Sequence, residues 1–218
     1  MDATRAVLAV SVGQPRLVEW QGGSVRTGIF KEPVPGPVAV GPLGFAGDGQ
    51  ADLEVHGGTD KAVYAYDESN LLHWREQLER SDLTPGSFGE NLTLRGVADE
   101  EIAIGDVLSI GSARLQISQP RQPCFKLGLR MGDPKFPKRF LASERVGYYL
   151  RVLEPGSIAA GDHVEVTARD PAGFTVRQLV ALWRSKEASR TQLERAVALE
   201  ALAPAWRVPF RERLERNA

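Results

Sequence analysis

GDVLSIGSARLQISQPRQPCFKL, residues Gly105 to Leu127, carries the reading on which the fold turns. DVLSI (Asp106 to Ile110) and ARLQIS (Ala113 to Ser118) are short β-like runs separated only by Gly111 and Ser112. Glycine first in a two-residue loop suits a type II′ hairpin turn. The second run leads into QPRQPCFKL, where the single cysteine, Cys124, stands between Pro123 and Phe125 with Arg121 and Lys126 close on either side. A cysteine that only fills space needs neither prolines nor cations around it. Arg121 and Lys126 would favour the thiolate, the nucleophilic and metal-binding form, and the prolines restrict the backbone that presents it. The alternative is an inert cysteine packed beneath a rigid loop.

Outward from this hairpin the same pattern continues. AVLAVSV (Ala6 to Val12), VRTGIF (Val25 to Phe30) and YYLRVL (Tyr148 to Leu153) are further β-like runs broken by Gly and Pro, which predicts a barrel or sandwich. IAIGDVLSI at Ile102 and IAAGDHVEV at Ile158 share a Gly-Asp corner, in which Gly permits a tight turn and Asp is expected to bond to the backbone that follows. Helices are few here: DESNLLHWREQLE, with Asp67 as cap and Leu71, Trp74 and Leu78 on one face, and a shorter one in FPKRFLASE around Phe140.

After RDPAG (Arg169 to Gly173) the period changes from two to near 3.6. TVRQLVALWR offers a capping box at Thr175/Gln178, and TQLERAVALEAL a second at Thr191/Glu194. PAWRVPFRERLER opens with Pro204, but Pro209 is expected to break or kink a helix through it. Helices of ~10 residues are marginal alone, so these three must pack on one another or on the β region. The expected domains are therefore residues 1–170, the β region, and 174–218, the helical unit.

The totals set bounds. The chain has 218 residues, 42% hydrophobic and 25% charged, as in an ordinary globular protein. A formal charge of −1 gives no support to nucleic-acid binding, which calls for a basic excess. From Thr175 onward 9 Lys/Arg face 5 Asp/Glu, against 18 and 23 before it, so the tail is distinct by charge. No apolar run approaches the ~20 residues of a membrane helix, and the N-terminus lacks a signal-peptide pattern, so a cytoplasmic protein is expected. One cysteine excludes an intrachain disulfide, and His56, His73 and His163 show no zinc spacing.

Two further stretches carry candidate chemistry. In GDGQADLEVHGGTDKAVYAY, Gly47 to Tyr66, the backbone of Gly57 and Gly58, the Thr59 hydroxyl and the Lys61 ammonium together could cradle a phosphate. The spacing is neither that of a P-loop nor that of a dinucleotide fingerprint. His56 is a proton donor, a ligand contact or a packing side chain, and Asp48, Asp52 and Asp60 are ligand contacts or turn residues. In PGSFGENLTLRG, Glu90 and Asn91 put an acid and an amide at the entry to a strand, where they reach a ligand or close the turn.

Taken in order, V-H-G-G-x-D-K-A, F-G-E-N-L and S-Q-P-R-x-P-C, followed by the three-helix tail, resemble the MOSC domain, the molybdenum-cofactor-sulfurase C-terminal superfamily, in its YiiM-like branch. The resemblance covers nearly the whole chain. It implies a mainly β fold with α: a closed, pyruvate kinase-like β-barrel followed by a small C-terminal three-helix module. It implies that Cys124 ligates molybdenum in the pterin cofactor or carries sulfur, with His56 or an acid near it as candidate proton donor. Lys61 and Arg121 would meet the cofactor, helped by Gly57, Gly58 and Thr59; Asp48, Glu90 and Asn91 complete the pocket, and Gln50 and Asp52 orient its loop.

This branch is connected with resistance to N-hydroxylated base analogues such as 6-hydroxylaminopurine. The implied activity is a molybdenum-dependent reduction of N–OH to N–H in a small substrate, with electrons from a separate flavin-dependent reductase; the basic tail is either a docking surface for that reductase or a cover for one end of the barrel. The alternatives are a sulfur carrier using a Cys124 persulfide and a non-enzymatic cofactor-binding module. Pyridoxal phosphate is not expected, since there is no room for a desulfurase domain.

Overall fold

The computed structural model describes residues 5–52, 57–171 and 173–216. Its strands are Ala6–Val12 (β1), Arg16–Trp20 (β2), Gly23–Thr27 (β3), Glu32–Pro33 (β4), Val38–Gly41 (β5), Gly44–Phe45 (β6) and Val63–Asp67 (β7). After helix Glu68–Leu78 (α1) come Leu92–Arg95 (β8), Val107–Ile110 (β9) and Ala113–Pro120 (β10). Helices Phe125–Met131 (α2) and Phe136–Ala142 (α3) precede Tyr148–Glu154 (β11), Gly156–Ile158 (β12) and Val164–Ala168 (β13). Helices Val176–Arg184 (α4), Arg190–Ala198 (α5) and Pro204–Arg216 (α6) follow. No helix among the described residues is long and apolar enough to cross a membrane.

The hairpin at residues 106–118 forms as read, with Ala113 opposite Ile110. Gly111 has φ 57° while Ser112 is not among the positive-φ residues, which is the type II′ requirement. Among the described residues eight strands form one sheet in the order β13-β9-β10-β11-β7-β8-β1-β4. All its pairs are antiparallel except β7 with β8, whose parallel pairing requires the crossover through α1. Smaller sheets join β12-β5-β6 and β2-β3.

The sheet ends in β13 and β4, which do not pair with each other. A single bridge, Ala6 to His163, brings the start of β1 against the approach to β13, with Val7 N donating to Asp162 O at 2.9 Å and Val164 N to Arg5 O at 3.1 Å. One bridge falls short of the ladder that a closed barrel requires. The architecture shown is thus a mixed α/β fold built on one large sheet with six helices among the described residues, not the closed barrel expected.

The two Gly-Asp corners are alike, although each Asp reaches back rather than forward. Asp106 Oδ2 accepts from Ala103 N at 3.0 Å and Asp162 Oδ2 from Ala159 N at 2.8 Å, and Gly105 and Gly161 both have φ 94°.

Helix α4 packs against β10 and α5 against α6, and Leu179, Val180, Leu193, Trp206 and Phe210 are all fully buried. The Thr175/Gln178 box caps α4 as read. The box on α5 is Ser189/Gln192 instead, because the helix starts at Arg190 and Thr191 is already within its first turn. Helix α6 runs through Pro209 without ending there. Trp206 and Phe210, four residues apart, bury one face on either side of it, and the carbonyl that Pro209 leaves without a helical donor belongs to exposed Ala205.

Asp99 is fully buried between α1 and the approach to β11, accepting from Gly147 N at 2.8 Å and Asn70 Nδ2 at 2.9 Å. Burial pushes its carboxyl up to about 6, and the two N–H donors only partly offset that. A carboxyl whose folded pKa is raised holds its proton longer in the native state. Its contribution is therefore fully present below pH ~4 and is lost as pH rises through about 6, a difference on the order of 3 kcal/mol. Urea unfolding between pH 4 and 7 is expected to show this decline, flattened in Asp99→Asn; an unchanged slope in the variant would contradict the assignment.

Candidate functional site

Three close approaches of backbone build the cleft beside β7 and β11. Strand β3 stops at Thr27, whose Oγ1 accepts from Ile29 N at 3.2 Å, so the expected run to Phe30 is cut short. A Cβ on Gly28 would meet Gly49 O at 2.3 Å, so the 27–31 segment lies directly on the 47–50 loop. Gly49 N donates to Gly13 O at 3.0 Å, and a Cβ on Gly89 would meet Ile29 Cγ1 at 2.7 Å. The resulting cleft spans about 620 Å³ of empty space, part of it open solvent.

Asp48 fixes the inner wall. Its Oδ1 accepts from Gly13 N at 2.9 Å and pairs with Lys31 Nζ; its Oδ2 accepts from Asn91 Nδ2 at 2.9 Å. Asn91 also donates to Ser11 O at 3.2 Å and accepts from Tyr64 N at 3.2 Å, which joins β1, β7 and the 47–50 loop. The Lys31 and Asp48 side chains are only 8% and 6% exposed. Burial draws the Lys31 ammonium below its ordinary range, and Asp48 opposes that shift.

The opposite wall carries Arg121 and Cys124. Arg121 is anchored by its N–H to Gly147 O at 3.1 Å and by its guanidinium to Phe88 O. The guanidinium lies 4.5 Å from the centre of the Tyr64 ring, a cation–π arrangement. The Tyr149 ring is 5.3 Å from Tyr64, its neighbour in the β7–β11 pairing. Burial raises the pKa of both tyrosines, and Tyr64 Oη donates to Val146 O at 2.8 Å. Cys124 caps α2 with extended backbone and is half-buried, within electrostatic reach of Arg121 and Tyr149.

The third wall is the Gly57–Lys61 turn, closed by Lys61 N donating to Gly58 O at 3.0 Å, with Gly57 and Gly58 both at positive φ. Lys61 is half-buried, and burial lowers its pKa against the opposing pull of Asp60.

The expected site residues Asp48, Gly57, Lys61, Asn91, Arg121 and Cys124 all meet at this cleft, as does Gln50. Gly58 and Thr59 are exposed on the outer side of their turn and are not on its wall. Glu90 is fully buried and turned away: its carboxylate accepts from Gly86 N at 2.7 Å, Phe88 N at 3.0 Å and Thr93 Oγ1 at 3.1 Å. It closes the turn and does not face a ligand, and burial raises its pKa. His56 lies outside the described residues. Lys31, Tyr64, Lys126 and Tyr149 complete the wall. The charged groups of the described lining are Lys31, Lys61, Arg121 and Lys126 against Asp48, an excess of positive charge suited to an anionic ligand.

Residues 52–165 match the MOSC domain family model. The chain belongs to the MOSC domain family. It is 37% identical over 211 residues to the uncharacterized protein YflK of Bacillus subtilis, covering 97% of this chain and 95% of that protein. The crystal structure of YiiM from Geobacillus stearothermophilus superposes with a TM-score of 0.82 at 31% identity, over 96% of this chain and 99% of that one. A protein named Reductase from Gibberella moniliformis is 34% identical over 181 residues, 82% of this chain but only 32% of its own length. This MOSC chain thus spans about a third of that relative.

Breaking a buried ion pair from one side leaves the other charge uncompensated, at a cost of about 3–5 kcal/mol. Lys31→Met is expected to lose that much stability in urea unfolding, and Lys31→Met with Asp48→Asn to recover a large part of it. A single variant within about 1 kcal/mol of wild type would show that the pair is not desolvated as described.

Proposed function

We propose that the cleft holds a molybdenum–pterin cofactor with Cys124 as the protein ligand to the metal, and that the protein reduces N-hydroxylated compounds there. The observation that carries this reading is the meeting, on one cleft, of a cysteine sulfur with Lys31, Lys61, Arg121 and Lys126. The donor set fits the group. A polarizable thiolate suits molybdenum, the cations suit a phosphate and an anionic pterin, and the Tyr64 and Tyr149 rings add aromatic surface to the wall. When bound, the cofactor supplies two-electron chemistry and accepts oxygen.

The protein's own groups have separate tasks. Arg121, held by its N–H, Phe88 O and the Tyr64 ring, presents a fixed planar cation. Lys61 and Gly57 face the ligand from a turn whose two glycines let backbone approach closely. Asp48 and Asn91 hold the inner wall. The overall change, R–NH–OH + 2e⁻ + 2H⁺ → R–NH₂ + H₂O, needs two protons, for which Lys31, on the cleft wall, and His56, next to Gly57 in the sequence, are candidates.

The electrons come from a separate flavin-dependent reductase, and we place the reaction in the cytoplasm. The fungal relative named Reductase supports an association of this kind, since the matched region is about a third of a longer chain. Resistance to N-hydroxylated base analogues would follow from such an activity.

Expressed with the cofactor pathway intact, the protein is expected to carry near-equimolar molybdenum and pterin, lost in Cys124→Ser. The loaded protein should reduce 6-hydroxylaminopurine with reduced methyl viologen as artificial donor. Wild-type protein that lacks molybdenum and pterin yet carries a persulfide on Cys124 would overturn the reductase reading in favour of sulfur transfer.

A further inference from the structure

Arg151, on β11, was not among the residues expected at the site and does not line the cleft, yet it holds one of the cleft's walls. Its Nε donates to Asp60 Oδ1 at 2.9 Å, and Nη2 lies 2.7 Å from the same oxygen. Nη1 donates to Gln116 Oε1 on β10 at 2.9 Å, and Nη2 also donates to Ala201 O, in the linker between α5 and α6, at 2.8 Å. The Asp60 backbone is tied as well: Ser118 Oγ is 2.6 Å from Asp60 O and 3.0 Å from Tyr149 O. Ser118 O in turn accepts from Ala203 N at 3.0 Å. The α5–α6 linker, two strands and the Gly57–Lys61 turn are therefore stitched together at one guanidinium.

That turn needs an external tie. Gly57 and Gly58 stand at φ 138° and 83°, a region that glycine enters without strain, and Lys61 follows Asp60 directly. A planar guanidinium spreads five donors over three nitrogens in a fixed fork and so reaches a carboxylate, an amide and a carbonyl in three directions, whereas a lysine has three donors on one nitrogen.

We propose that Arg151 is the positioning residue of the cleft: by gripping Asp60 it sets Lys61 against the bound anion and makes the α5–α6 linker part of the support of that wall. The inference rests on the reading of the cleft as an anion site. It assigns to the C-terminal helices a part in ligand binding.

The test is a double-mutant cycle read by isothermal titration with inorganic phosphate on the full chain: wild type, Arg151→Met, Lys61→Met and the double variant. Arg151→Met is expected to weaken phosphate binding about fivefold, the worth of one partly exposed charge contact. In the Lys61→Met background the same substitution should change binding by less than about twofold, although it lowers the unfolding temperature in both backgrounds. A merely structural Arg151 would instead weaken phosphate binding equally with and without Lys61, or leave it unchanged, and either result overturns the proposal. If wild-type protein binds no phosphate, or Lys61→Met binds it as well as wild type does, the anion reading of the wall fails first, and the proposal falls with it. Should Arg151→Met not fold, Asp60→Asn breaks the same pair with little change of shape and completes the cycle.

Discussion

The Asp48 carboxylate receives three donors from three separate stretches of chain: Gly13 N after β1, Lys31 Nζ before β4 and Asn91 Nδ2 before β8. A carboxylate this buried is tolerable only because each oxygen is engaged and a cation stands beside it. Each partner is then fixed in turn, Asn91 by Ser11 and Tyr64, and the 27–31 segment by its contact with Gly49. The inner half of the cleft is thus set before any ligand arrives. A preorganised wall of this kind spends less binding energy on ordering itself.

The outer half is built differently. Arg121 is rigid because it is buried and stacked on Tyr64, whereas Lys61 sits on a glycine turn that the neighbouring Asp60 ties to Arg151. Cys124 stands between these regimes, half-buried at the start of a short helix.

Much of this was legible in the chain. The hairpin at Gly111 and Ser112 followed from a turn rule, and the Asp67 and Thr175 caps from local hydrogen-bonding chemistry. Asp48, Lys61, Asn91, Arg121 and Cys124 stood out because glycines, prolines or charges crowd around them. Lys31, Tyr64 and Tyr149 did not. Lys31 follows an apolar run and looks like an exposed strand end, and the two tyrosines read as strand filler until β7 and β11 pair them. Glu90 misleads for the opposite reason. An acid at a strand entry looks like a ligand group, and only the three-dimensional turn shows that its own N–H groups claim it. Pro209 reads as a helix breaker because the burial of Trp206 and Phe210 that outweighs it is tertiary. Barrel closure came from resemblance alone, and strand pairing supports only a bridge at the seam.

The claim at the centre of this account is that Cys124 faces the ligand from the cleft wall. The most direct measurement is the rate of Cys124 alkylation by iodoacetamide in protein prepared without molybdenum cofactor and in protein loaded with it, with metal content determined on both. The account predicts that the sulfur is modified in the first and protected in the second, in proportion to its molybdenum. Equal rates in the two samples, with molybdenum present in the loaded one, would place the cofactor away from Cys124 and contradict it.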